Sequence, residues 1–241
     1  MKTRIAIIAA LGFLWVLVNL PANLVRNVVD SDQLSLVAPN GTLWQGSARL
    51  VTALGIESQI QWRTTLWRPG LDLTFTDNNS TLTGRIEFGV TAHRLDLAGE
   101  LDASTLAPLL RRYDIFLPGT FTLNEMTFLW QPPAARMEKP SSLIWSGGDL
   151  RYILANRQYR AVMPPLLAKV DTNPQGELET RIVANDESDV LLMILRWKNN
   201  GNMYFGVTRS MLRLANYPWS GSERESTLIF EVERRLTQPA D

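Results

Sequence analysis

This chain of 241 residues offers few side chains that could do chemistry. It has one histidine, His93, and no cysteine. That removes thiol nucleophiles, disulfides, iron–sulfur clusters and zinc sites built on cysteine or on two or three imidazoles. A serine nucleophile would need His93 as its base, oriented by a carboxylate. His93 stands beside Arg94 in an apparent strand or turn, no G-x-S-x-G elbow surrounds any serine, and the histidine reads as an ordinary surface residue. A carboxylate pair could hydrolyse a glycosidic bond, and Glu87, Glu100 and Glu125 are the candidates. Each falls on the polar or mixed face of a strand, where solvated carboxylates belong. Asp186, Glu187 and Asp189 lack the glycine and the distal glutamate of a calcium loop and read as a solvated turn. No phosphate-binding or dinucleotide glycine motif is present. The sequence points to no enzyme, no cofactor and no metal.

The elements that would position such residues are mostly strands. From Leu34 onward the dominant period is two. Ile56, Ile60 and Trp62 alternate with Glu57, Gln59 and Gln61, and Leu71 to Thr76 alternates without a fault before the turn Asp77-Asn78-Asn79-Ser80. Residues 81–88 and 94–101 repeat the pattern, which predicts an antiparallel meander. A helical period appears at 104–113, with Asp102 or Ser104 as cap and Pro108 in the first turn. Phe121 to Trp130 is apolar on both faces. The Pro-rich stretch 131–142 reads as a linker. Beyond it, strands are expected near 142–145, 158–163, 176–184, 190–197, 203–208 and 227–232. A short helix is expected at 209–216, and a hairpin turn at Lys198-Asn199-Asn200-Gly201. Thr42-Leu43-Trp44-Gln45-Gly46 is weakly echoed by Leu143-Ile144-Trp145-Ser146-Gly147, so two β-rich halves, 26–130 and 143–241, are one reading of the organisation.

The formal charge is zero, with 24 basic and 24 acidic residues, which argues against a nucleic-acid partner. The balance hides an asymmetry. After the basic tip at residues 1–4, the stretch 5–25 is apolar apart from Asn19 and Asn23. At 21 residues it matches the roughly 20 that a helix needs to cross a bilayer core. Ile5, Leu11, Phe13, Leu17 and Leu20 would face lipid. A cleaved signal is the competing reading, but Leu20-Pro21-Ala22 fits an A-x-A cleavage site poorly. The expectation is a retained anchor with its N-terminus cytoplasmic and the bulk of the chain exported. Lys2, Arg4 and Arg26 lie in or beside that anchor, so the remainder carries three more acidic than basic residues.

Seven of the eight tryptophans lie beyond the anchor. Trp62, Trp130 and Trp197, at strand ends, are expected in the core. Trp67 and Trp219 adjoin prolines and turns and are the candidate interaction residues, because exposed tryptophan is enriched in binding hot spots.

Several of these segments together resemble the type II secretion system protein N family, also called general secretion pathway protein N. They are the basic start and single anchor at Lys2–Val25, Gly41-Thr42-Leu43-Trp44-Gln45-Gly46, Gln61-Trp62, Leu66-Trp67-Arg68-Pro69-Gly70, Leu117-Pro118-Gly119-Thr120 and Trp145-Ser146-Gly147-Gly148. The similarity runs from the anchor to about residue 150. It implies an accessory component in the inner membrane of a Gram-negative bacterium, facing the periplasm. Such a component supports export of folded proteins through contacts with other secretion components and with the exported protein. The family offers no catalytic residues to carry over. A similar Gly-x-Leu-Trp-x-Gly opening also occurs in AsmA-like proteins, whose β-grooves handle lipid between the membranes, and that is the alternative. The expected fold is mainly β: a transmembrane helix, then an antiparallel, curved or groove-like periplasmic sheet with few short helices.

Overall fold

The computed structural model describes Trp15, 18–65, 69–131, 134–186 and 189–235. Period-two patterning dominates this range, and strands dominate the structure. Strands β1 (Leu34–Gly41), β2 (Gln45–Thr52), β3 (Glu57–Thr65), β4 (Gly70–Asp77), β5 (Ser80–Glu87) and β6 (His93–Asp102) form the expected antiparallel meander. A helical segment follows, with α2 (Ala107–Leu110) between two single 3-10 turns; α1 is Asn23–Val29. Asp102 caps the segment by accepting from Ser104 N, and Pro108 sits in its first α-turn. The chain continues through β7 (Ile115–Phe116), β8 (Thr120–Gln131), β9 (Ala134–Met137), β10 (Ser141–Trp145), β11 (Gly148–Leu154), β12 (Arg157–Met163), β13 (Leu166–Thr172), β14 (Leu178–Ala184), β15 (Leu191–Trp197) and β16 (Asn202–Thr208). It ends with α3 (Arg209–Leu214) and β17 (Leu228–Arg235).

Among the described residues, fourteen strands form one antiparallel sheet, ordered β1-β2-β3-β4-β5-β6-β8-β10-β13-β14-β15-β16-β17 with β9 paired to β8. A small sheet, β12-β11-β7, lies apart from it. The stretch read as a linker contains β9, and β8 pairs directly with β10, so hydrogen bonding runs on across it.

Alternation gives β3 to β8 two unlike faces. One face carries charge in register: Arg63 opposite Asp72, then Arg85, Asp96 and Thr127. The other carries Trp62, Leu73, Gly84, Leu97 and Met126 in one row, and Leu71, Ile86, Leu95 and Phe128 in the next. Three buried clusters cover parts of the apolar face. Ala22, Leu36, Ala48 and Trp62 pack with Val25 and Val29 of α1. Met126, Met137 and Val170 form a second. The third joins the small sheet to the large one through Trp145, Leu150, Ala161, Met163, Leu166, Ala184 and Leu192, with Met211 and Leu214 of α3 against it.

Two tryptophans clasp this scaffold. The Trp62 indole N–H donates to the Thr42 carbonyl at 3.2 Å, and the ring lies over Gly46, where a Cβ would fall 2.4 Å from ring carbon Cζ2. The Trp145 N–H donates to the Pro118 carbonyl at 2.7 Å, and a Cβ on Gly119 would crowd that nitrogen at 3.1 Å. The segments that carry the family resemblance are therefore joined in pairs. The echo between residues 42–46 and 143–147 does not extend to their tryptophans, since Trp145 is buried as Trp62 is, whereas Trp44 is only half-buried.

The N-terminal stretch needs separate description. Ile5, Leu11, Phe13 and Leu17 lie outside the described residues. Among those described, no helix is long and apolar enough to cross a membrane. The Leu20 carbonyl accepts from Leu43 N at 2.8 Å, Pro21 bridges to Thr42, and Ala22 is buried, so residues 21–25 seat on the sheet.

Candidate interaction site

The residues with catalytic potential are dispersed. Glu87 sits at one end of β5, opposite Arg94 of β6, and is held by Arg85 at 3.0 Å. Glu100 lies six residues further along β6, roughly 20 Å at the rise of a strand. Glu125 occupies a bulge in β8 with φ 35°. Asp189 pairs with Lys169, and Glu187 lies outside the described residues. Among the described residues no three His, Asp or Glu side chains gather as a metal site requires.

His93 departs from the surface reading. It is half-buried, its ring edge-on to Phe88 at 5.9 Å and tilted against Trp130 at 6.1 Å, and its Nδ1 is buried without a hydrogen-bond partner. Trp130 departs from the core reading, being 49 % exposed. Its strand overruns β10 and pairs there only with β6 and β9, so the ring sits at the strand ends, beyond the packed clusters. Trp62 is buried as expected, while Trp197 is half-buried with its N–H unpartnered.

Of the two candidate interaction residues, Trp67 lies outside the described residues, and Trp219 heads an aromatic ladder. Its ring meets Phe230 of β17 edge-on at 5.8 Å. Phe230 meets Tyr217 at 6.2 Å, Tyr217 meets Tyr159 at 5.7 Å, and Tyr159 stacks on Tyr152 at 5.1 Å. The inner end is half-buried: the Tyr152 hydroxyl donates to the Ala215 carbonyl at 2.9 Å, and desolvation beside two other tyrosines raises its pKa above the ordinary phenol range. The outer end is open, with Trp219 38 % and Phe230 41 % exposed. Polar groups there are matched. Trp219 donates to Glu223 at 2.9 Å, and that hydrogen bond holds the Glu223 carboxyl below its usual range. The chain leaves α3 through Asn216 at φ 54°, and Pro218 follows with Trp219 against β17, so the ladder assembles from β11, β12, the segment after α3 and β17. Tyr159, Tyr217 and Phe230 carry no sequence signal of it; only the cluster Tyr217-Pro218-Trp219 hints at an exposed aromatic.

β17 also ends the large sheet. Among the described residues no strand pairs with its outer side, whereas β1 at the opposite end carries Pro39, a register shift and Ala38 at φ 52°, features that blunt an edge. An unpaired edge strand beside exposed aromatics can take an extended segment by backbone pairing and hold its side chains against the rings.

The fold and site thus define an antiparallel β protein with an edge strand, unpaired among the described residues, beside exposed aromatic side chains. A type II secretion system protein N from Klebsiella pneumoniae is 33% identical over 142 residues, covering 53% of this chain and 54% of that protein. The chain thus spans about half the length of the curated relative it matches. No family model and no solved structure matches it.

Proposed function

We propose that this chain is an accessory component of a type II secretion system, held in the inner membrane by residues 5–20 and acting in the periplasm through protein contacts. The observation that carries the reading is the β17 edge, unpaired among the described residues, beside the exposed Trp219–Phe230 pair. The relative's name and the family segments support the system to which it is assigned. On this reading the partners are other secretion components or the exported protein, and the chain acts as a non-enzymatic adaptor. Photo-crosslinking from position 219 or 230 in cells should capture a secretion component, and deletion of the gene should slow release of the exoprotein. Normal release together with no secretion-component adduct would sink the reading.

A second reading rests on a different observation. Phe75, Leu82, Ile86 and Leu95 lie on the apolar face of β4 to β6, half-buried and outside all three buried clusters. A face of this kind suits an acyl chain, as the AsmA-like alternative expects. Native mass spectrometry of detergent-free protein should then detect bound lipid, and lipid-free protein would end that alternative.

A further inference from the structure

The ends of strands β1 to β8 are treated unequally. At one end the helical segment around α2 closes over the turns: Thr105 bonds Ser80 at 2.9 Å and Asp77 at 3.0 Å, and Arg112 reaches the Ala53 carbonyl at 3.2 Å. The opposite ends carry an uncovered apolar rim. Phe88 is 55 % exposed, Val90 fully exposed and Trp130 49 % exposed. The rim is built tightly. Phe88 N donates to the Pro69 carbonyl at 3.0 Å, and a Cβ on Gly89 would fall 2.2 Å from the Ala92 carbonyl oxygen, so the turn that presents Val90 has no slack.

The N-terminal apolar stretch reaches the sheet along this same row of strand ends. Leu43 N bonds the Leu20 carbonyl, Pro21 bridges Thr42, and Thr64 N bonds the Trp44 carbonyl in the next strand. From β2 to the rim at β6 is four inter-strand steps, roughly 20 Å. Further along the same row the character changes. The turns after β13 and β15 are polar, with Asn173 binding Gln175 and Glu177, and Asn200 binding Asn202. Among the described residues, the exposed aromatic and aliphatic side chains of this row therefore lie in the part nearer the apolar N-terminal stretch. Aromatic rings favour the headgroup layer of a bilayer.

We propose that the Phe88–Val90–Trp130 rim seats in the interfacial layer of the bilayer in which residues 5–20 are anchored. The proposal rests on the anchor reading. Beside the rim, Arg94 is paired with Asp96 and Glu138, so seating depends on apolar contact and not on anionic headgroups.

The absence of cysteine allows a clean test. Val90→Cys, carrying an environment-sensitive fluorophore on the full chain in phosphatidylcholine nanodiscs, should be quenched by brominated acyl chains at a depth of ~5–10 Å, as for an apolar face lying in the interface. Gln175→Cys, on a polar turn of the same row, should not be quenched. Leu11→Cys reports the anchor separately. Quenching at position 11 with none at position 90 overturns the rim proposal and leaves the anchor standing. No quenching at position 11 overturns the anchor reading and the rim with it. A blue-shifted but unquenched label at position 90 places the rim against protein and also overturns the proposal.

Discussion

The sheet divides into two regions that solve the same packing problem differently. From β1 to β8 it is a single layer. Trp62 clasps neighbouring strands, a helix of seven residues covers one end of the apolar face, and the middle is left half-open. From β10 to β17 it is two layers. Trp145 stands between the large sheet and the small one, and α3 closes the cluster. Each region also exposes an aromatic group at its surface. In the first, Phe88 and Val90 are bare hydrocarbon and His93 Nδ1 is unpartnered. In the second, Trp219 is matched by Glu223, and Tyr204 on the neighbouring strand by Glu231. A surface with satisfied polar groups suits a wet protein interface, and one without them suits an apolar surround.

The clasps give the largest expected effects. Trp145→Ala removes a side chain only 4 % exposed from between two layers and leaves the Pro118 carbonyl without its donor. It should cost about 3–5 kcal/mol, much of the stability of an ordinary domain. Trp62→Ala should fall at the lower end of that range, because the single layer can collapse into the space. Gly46→Ala tests the same clasp from the other side. The added methyl collides with the indole and also with the Asn40 carbonyl at 2.5 Å, so overpacking should cost ~1–3 kcal/mol. Urea denaturation measures all three. Equal losses for Trp62→Ala and Trp145→Ala would erase the distinction between the regions.

An intermediate effect is expected at the aromatic ladder. Trp219→Ala with Phe230→Ala should weaken capture of the partner by about 2 kcal/mol or more, the scale of an interface hot spot. The cost to the fold should be only about 1 kcal/mol from the lost edge-to-face contact. A binding assay and a thermal melt on the same variant separate the two. A large stability loss with unchanged binding would make the ladder a part of the core.

Much of this architecture is legible in the sequence, and its gaps have physical causes. Alternation locates β3 to β6, each with one apolar and one polar face, and apolar or β-branched runs between turns locate β12 and β14 to β17. The strands β11 and β13 escape because glycine and proline interrupt Gly147-Gly148 and Pro164-Pro165 at their starts. The 131–142 stretch reads as a linker from its prolines, yet Ala134–Met137 folds back on β8. Trp219 is legible as a surface aromatic from Pro218. Its ladder is not, since Tyr159, Tyr217 and Phe230 meet only through tertiary packing. Trp130 misleads because a strand end looks the same in sequence whether or not a neighbour covers it.

The smallest expected effect concerns charge, and it also separates the regions. Burial pushes the Asp96 carboxyl upward, but the Thr127 hydroxyl and the Arg94 guanidinium outweigh it and hold the pKa below the ordinary value. A carboxylate with a depressed folded pKa contributes stability above its unfolded value, about 4, and loses it as pH falls through the folded one. Asp149 in the second region is lowered chiefly by its hydrogen bond to Arg160, which is 70 % exposed, so solvent screens that pair. Asp96→Asn should therefore flatten the decline of the melting temperature below pH ~4 more than Asp149→Asn does. Equal flattening would show that the charged face of the single layer is as well solvated as the rim of the small sheet, and that its ladder from Asp72 to Thr127 adds little to holding β4, β5, β6 and β8 in register.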